Sequence, residues 1–362
     1  MTVRIMTGDC RDVLATLEAG SVHTCVTSPP YFGLRDYQVD GQIGLEPTPA
    51  EFVAQMVAVF RGVKRVLRDD GTVFLNLGDS YAGSWGSQGH RETPETISRN
   101  SIANHPKRPS NTGSIRQSGL KPKDLIGIPW RVALALQADG WWLRSEIIWA
   151  KPNGMPGSQD DRCTSSHEAI FMLSKSPTYW SDFDAIKTPP RESSMVRTAQ
   201  DVQTQAGSHR ANGGGKTNGA MKAVGDRADK PRGHSRKHAG FNARWDAMER
   251  SEQQAMPAMM RDVWFVPPAS FSEAHFATMP EEIARRCILA GCPRGGLVLD
   301  PFGGAGTTGL AADRHGRNAV LIELNPEYAA IADRRLRAGL ARVDGPEIPI
   351  AGDLPLFPGK AA

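Results

Sequence analysis

Apolar positions along the chain fall into two rhythms, and their alternation predicts the architecture. Residues 2–7 alternate as a strand, and Gly8-Asp9-Cys10 turns out of it into a short helix through Val13, Leu14 and Leu17 that ends near Gly20. Val22 to Thr27 reads as the next strand. Pro49 to Leu67 is an amphipathic helix with Phe52, Val53, Met56, Val57, Phe60, Val63 and Leu67 on one face. Asp69-Asp70-Gly71 ends it, and Thr72 to Leu77 is a buried strand. The pattern then predicts a helix over Ile128–Ala138 and strands over Trp142–Trp149 and His167–Leu173, with Trp142 and Trp149 in the core. Near the end come a strand over Leu297–Asp300, a helix running to about His315 and a strand over Ala319–Glu323. Helices alternating with apolar strands predict an α/β sandwich around a mainly parallel sheet.

Two stretches break the rhythm. Residues 84–123 are rich in Ser, Asn, Gly and Pro, and residues 187–261 turn polar and irregular. The expected organisation is a main domain from 1–186 and 262–345, a basic insertion at 84–123 within it, an inserted module at 187–261 and a tail at 346–362. Charge sharpens this division. Lys187 to Arg250 carries thirteen Lys/Arg against six Asp/Glu, and Ser84 to Lys123 seven against two, although the 362-residue chain is only +4 overall. Two basic insertions on an acidic body are an electrostatic footprint for a polyanion. Arg232, Arg236 and Lys237, in the stretch Lys230 to His238, are candidate contacts for it.

Composition otherwise excludes more than it assigns. The five cysteines form no CxxC pair, so a reduced cytoplasmic protein without structural zinc is expected. The apolar runs fall short of a membrane span, and the N-terminus lacks a signal pattern.

The first chemical motif is Ser28-Pro29-Pro30-Tyr31, where a strand leaves the sheet. Two prolines hold the chain extended and remove two N–H groups. Carbonyls without local partners, a hydroxyl on one side and an aromatic ring on the other suit a flat heterocycle bearing an amino group. Arg35, in the exposed loop that follows, can touch a base or a phosphate, or form a surface salt bridge.

The second lies at the far end of the chain. The strand Leu297–Asp300 enters the turn Pro301-Phe302-Gly303-Gly304-Ala305-Gly306-Thr307-Thr308, and the next strand ends on Glu323, seventeen residues after Gly306. Glycines let backbone approach a ligand, helix N-terminal N–H groups face it, and a strand-end acid can take both hydroxyls of a ribose. GxGxxG is absent, since Gly304-Ala305-Gly306 is followed by Thr307-Thr308 before Gly309, and no GxxxxGK[ST] loop occurs. A nucleoside cofactor such as S-adenosylmethionine therefore suits the turn better than a dinucleotide.

Together the two sites resemble the amino-directed (N4-cytosine/N6-adenine) DNA methyltransferases of the permuted order, with SPPY first and DPFxGxG last. Gly8-Asp9-Cys10, Phe74 to Tyr81, Trp141 to Asn153, Ser166 to Lys175 and His275 to Glu282 match that group as well. The resemblance covers about residues 1–83, 124–186 and 262–342. It implies a Rossmann-like S-adenosylmethionine-dependent sandwich whose basic insertions read double-stranded DNA.

The resemblance also implies site roles. Ser28 Oγ and the Pro29 carbonyl would accept the amino hydrogens of an extruded base, with Pro30 shaping the loop and Tyr31 stacking on the base. Asp300, Pro301, Phe302, Gly304, Gly306, Thr307 and Thr308 would line the cofactor, Glu323 would take its ribose, and Phe276 would close the pocket. Asp9 is either a further cofactor contact or a turn residue, and His167 and Glu168 are possible walls. Ser at the first catalytic position is commoner among cytosine-N4 enzymes, with adenine N6 the alternative. A catalytically silent DNA-binding protein is the rival outside the enzyme class. A homodimer, a cognate restriction endonuclease, and a bacterial, archaeal or phage-infected host cell accord with the resemblance.

Overall fold

The computed structural model describes residues 2–34, 37, 39–82, 120–121, 123–154, 160–188, 257, 259–269 and 279–340. The chain divides into one unit of Met1–Ile186 with Arg261–Ile350 and another of Lys187–Met260 with Ala351–Ala362. Nearly all described residues belong to the first. Among the described residues, no helix is long and apolar enough to cross a membrane.

The first unit is built on an eight-stranded sheet. Its strands are β1 (Val3–Thr7), β2 (Val22–Thr27), β3 (Leu67–Leu77), β4 (Trp142–Ala150), β5 (His167–Ser174), β6 (Val263–Phe265), β7 (Leu297–Asp300) and β8 (Asn318–Glu323). The spatial order is β1-β8-β7-β2-β3-β5-β4-β6. β5 runs antiparallel to both neighbours, and every other pairing is parallel. The sheet is therefore mixed and mostly parallel, as the alternating pattern predicts.

Among the described residues, six helices cover it: α1 (Cys10–Thr16), α2 (Pro49–Val66), α3 (Ile128–Ala138), α4 (Glu281–Gly291), α5 (Thr307–Arg314) and α6 (Pro326–Leu340). Strand alternation assigns the faces. Cys25, Val73, Leu75 and Leu77 join the core beneath α2, where Phe52, Met56, Phe60 and Val63 are fully buried. Thr24, Thr72 and Phe74 face the other way, against Gly291 of α4, where a Cβ would come within 2.7–2.8 Å of all three. α2 starts where its local chemistry says it should. Thr48 Oγ1 accepts from Glu51 N–H, Glu51 Oε2 accepts from Thr48 N–H, and Pro49 follows directly.

Two expectations need correction. Asp69-Asp70-Gly71 does not end α2: the helix stops at Val66 and β3 begins at Leu67. Pairing of Val22 with Leu67, across a register irregularity, draws this polar stretch into the strand while Arg68 and Asp69 stay solvated. Nor is Trp142 core. It opens β4 with 47% of its surface exposed, whereas Trp149 is buried and donates its indole N–H to Val266 O at 2.7 Å.

Candidate active site

The topology creates the site. β7 lies beside β2, yet the chain leaves β7 through α5 toward β8 on one side and leaves β2 through α2 toward β3 on the other. Where connections diverge in this way, the carboxyl ends of the two strands open a crevice. The Thr27 hydroxyl donates to Asp300 Oδ1 at 2.7 Å across that junction, joining residues 273 positions apart.

Asp300 is a hub. The same Oδ1 accepts the Phe302 N–H at 3.0 Å, and Oδ2 accepts the Thr308 hydroxyl at 2.7 Å. Burial pushes its carboxyl above the usual range, opposed by the hydrogen bonds from Thr308, Thr27 and Phe302. Asp300 lines the pocket, as do Pro301, Phe302, Gly304, Thr307 and Thr308, but its polar contacts staple the turn to β2. Gly306 has a different place: its φ of +79° caps α5, and a Cβ there would sit 3.0 Å from Ala332 of α6. It allows a close helix approach and does not line the pocket.

Glu323, at the end of β8, reaches into the same pocket. Its Oε2 accepts the Gly304 N–H at 2.7 Å and its Oε1 the Asn325 N–H at 2.8 Å, which ties the glycine turn to the strand end. Burial pushes this carboxyl up as well, against those backbone bonds. Each oxygen keeps a lone pair for a further donor. Asp9 also borders the pocket. It caps α1 by accepting the Arg11 N–H at 2.8 Å, and its ion pair with Arg11 holds its carboxyl below the usual range. The turn and pocket readings of Asp9 therefore coexist.

Ser28 and Pro30 line this pocket too, so the loop after β2 faces the glycine turn. Pro29 is buried, and Tyr31 lies beside the pocket in a second cluster. The Tyr31 hydroxyl donates to Glu168 Oε2 at 2.5 Å, and the two hydrogens of Asn76 Nδ2 are shared among Tyr31 Oη at 2.8 Å, Glu168 Oε2 at 2.9 Å and Ser28 Oγ at 3.3 Å. Lys151 Nζ closes on Glu168 Oε1. Burial, reinforced by the Glu168 charge, raises the Tyr31 hydroxyl well above its ordinary value. One side of the Tyr31 ring rests on Gly78, where a Cβ would fall 2.5 Å from Cε2.

Sequence reasoning missed several of these residues. Asn76 carried a signal, a polar side chain inside the buried run Phe74-Leu75-Asn76-Leu77. Tyr37 and Tyr328 are pocket-wall rings packed edge to face at 6.2 Å, and no sequence spacing relates them. Thr27 passed as an ordinary strand end. Of the two suggested wall residues, Glu168 joins the Tyr31 cluster, while His167 is exposed at the start of β5. Arg35, Arg232, Arg236, Lys237 and Phe276 lie outside the described residues.

Fold and crevice define a class: an α/β sandwich with a ligand pocket at its switch point, holding a glycine turn opposite a Ser-Pro-Pro-Tyr loop. Residues 22–334 match the N6_N4_Mtase family, described as DNA methylase. The chain is 42% identical to the type II methyltransferase M.Cfr9I of Citrobacter freundii over 330 residues, covering 91% of this chain and 86% of that one. It is 37% identical to M.SmaI of Serratia marcescens, with 92% and 90% covered. Among solved structures, PvuII DNA methyltransferase (cytosine-N4-specific) has the same fold, with a TM-score of 0.56 at 15% identity over 95% of this chain and 93% of that one. A putative DNA modification methylase of Thermus thermophilus, complexed with S-adenosyl-L-methionine, gives 0.52 at 22% identity over 94% and 96%. The chain belongs to the N6_N4_Mtase family of DNA methylases. It is accordingly a DNA methyltransferase, and S-adenosylmethionine is its methyl donor.

Proposed function

We propose that this enzyme transfers a methyl group to the exocyclic amino group of a base extruded from double-stranded DNA, with cytosine N4 as the target. The observation that carries the reading is the pocket that Ser28, Pro30, the glycine turn and Glu323 share. The donor set fits the cofactor. The Glu323 carboxylate keeps lone pairs for a ribose diol, the Phe302 and Tyr328 rings offer apolar surface for adenine, and the Asp9 carboxylate suits a cationic ligand.

When bound, S-adenosylmethionine would supply a methyl group from its sulfonium and leave as the neutral thioether S-adenosylhomocysteine, while the methylated nitrogen releases one of its hydrogens as a proton to water. The chain's own residues prepare the acceptor. An exocyclic amine is a poor nucleophile because its lone pair is delocalised into the ring. Ser28 Oγ and the Pro29 carbonyl each accept one amino hydrogen, which draws the nitrogen toward tetrahedral geometry and frees the lone pair. Ser28 Oγ already meets Asn76 Nδ2 and keeps a second acceptor site for the amine. Tyr31 stacks on the base, a contact worth roughly 1–3 kcal/mol. Positioning the two reactants supplies most of the acceleration, up to about 7–11 kcal/mol in favourable cases.

Ser28 favours cytosine. The cytosine-N4 specificity in the name of the PvuII enzyme agrees with it, although that likeness concerns the fold. Residues 187–261 read the DNA in this proposal, and the type II relatives favour a cognate restriction endonuclease as a companion. The test is mass spectrometry of nucleosides from plasmid DNA of cells expressing the protein, alongside Ser28→Ala and Glu323→Ala. N4-methylcytosine that both variants lose supports the reading. N6-methyladenine would overturn the base assignment, and no methylated base at all would overturn the activity.

A further inference from the structure

The SPPY loop cannot hold itself in place. Pro29 and Pro30 carry no backbone N–H, so the stretch that must position Ser28 and Tyr31 lacks two of the donors that normally pin a loop. The side chains supply a clamp instead. Tyr31 Oη and Asn76 Nδ2 both donate to Glu168 Oε2, and Lys151 Nζ is paired with Glu168 Oε1. Glu168 accepts from the Lys151 ammonium at one oxygen and from the Tyr31 hydroxyl at the other, and it is the amide nitrogen of Asn76 that faces it. That orientation points the same nitrogen at Ser28 Oγ.

The clamp is anchored in the sheet. Trp149 pairs with Glu168 across β4 and β5, and Asn76 pairs with Ile170 across β3 and β5. Lys151 follows β4, donates its backbone N–H to Ser166 O at 2.7 Å and holds its ammonium 4.5 Å from the Trp149 ring centre. Glu168 and Lys151 are mostly buried, with 13% and 23% of their side-chain surface exposed. Partial exclusion of water strengthens charge-assisted hydrogen bonds of this kind.

We infer that Glu168, braced by Lys151, is a positioning residue for the methyl transfer. It fixes the Tyr31 hydroxyl and, through Asn76, the Ser28 acceptor, in the geometry the amine must meet. Neither Glu168 nor Lys151 lines the cofactor pocket, so both act on the transfer step and leave cofactor binding alone. A misplacement of about an ångström in such a constellation costs on the order of a hundredfold in rate. The inference rests on the proposed role of the SPPY loop.

The experiment is single-turnover transfer from tritiated S-adenosylmethionine to unmethylated bacterial genomic DNA. Wild type is compared with Glu168→Gln, Tyr31→Phe and the double variant, with cofactor Kd and Tm measured for each. Tyr31→Phe removes the hydroxyl and keeps the ring for stacking. Glu168→Gln should slow transfer roughly tenfold or more with an unchanged cofactor Kd, and should cost a smaller factor in the Tyr31→Phe background, where only the Asn76–Ser28 arm is left to lose. A merely structural residue would lower Tm and slow transfer by the same factor in both backgrounds, which would overturn the inference. So would a Glu168→Gln enzyme as fast as wild type. If Glu168→Gln does not fold, Lys151→Gln takes its place, with a smaller loss that again shrinks beside Tyr31→Phe; equal losses in both backgrounds would be decisive against the clamp. Absence of transfer by wild type would instead refute the proposed function, and the inference with it.

Discussion

Glu323→Gln tests the cofactor side of the site with little change in shape. In the wild type one carboxylate oxygen accepts the Gly304 N–H at 2.7 Å and the other the Asn325 N–H at 2.8 Å. A glutamine keeps one acceptor and turns the other oxygen into an NH2 donor, which then confronts a backbone N–H. Either the glycine turn or the start of α6 loses its tether, and the ribose hydroxyls lose a charged acceptor. Hydrogen bonds to charged groups contribute about 1.5–3 kcal/mol each. Losing one such bond to the ribose corresponds to a roughly 10- to 150-fold weaker cofactor Kd. Isothermal titration with S-adenosylmethionine and with S-adenosylhomocysteine, which lacks the methyl and the sulfonium charge, provides the assay. Because Glu323 is assigned to the ribose, both ligands should weaken by the same factor. Binding within about twofold of wild type would refute the argument, since the loss of even one charged hydrogen bond exceeds that. A loss confined to S-adenosylmethionine would refute the ribose assignment.

Gly78→Ala should damage the catalytic loop alone. A Cβ at Gly78 would stand 2.5 Å from the Tyr31 ring, so the ring must move; such overpacking costs about 1–3 kcal/mol. Methyl transfer should fall while cofactor affinity stays, and unimpaired transfer would show that the ring position is not critical. The raised carboxyl of Glu323 predicts opposite pH trends for binding and stability. As pH falls toward the ordinary glutamate value of 4.5, Glu323 protonates early and cofactor affinity drops. A raised folded-state value means the folded protein takes the proton more readily than the unfolded chain. The group's contribution to stability is therefore full below the unfolded value and is lost as pH rises through the folded one. Kd and chemical denaturation measured across that window, in wild type and Glu323→Gln, should show both trends weakened in the variant, where the shifted Asp300 and Asp9 carboxyls still titrate.

Much of the molecule was legible in one dimension. The elements Ile128–Ala138 and Leu297–Asp300 follow from local periodicity, and the SPPY and DPFxGxG turns announce themselves because proline and glycine constrain backbone whatever surrounds them. Local preference failed at Asp69-Asp70-Gly71, where pairing with β2 outweighed turn-forming residues, and at Trp142, where an aromatic side chain opens a strand at the surface. Sheet order alone decided that Thr27 meets Asp300, and that Ser28 and Glu323 share a pocket, because parallel strands bring distant turns to one edge only after the whole sheet has formed. The clamp of Asn76, Lys151 and Glu168 on Tyr31 needed more still. Its members come from three strand ends, and their hydrogen bonds depend on register and side-chain direction, which no spacing along the chain encodes. The sequence determined the chemistry present, and the tertiary structure decided which groups are near enough to act together.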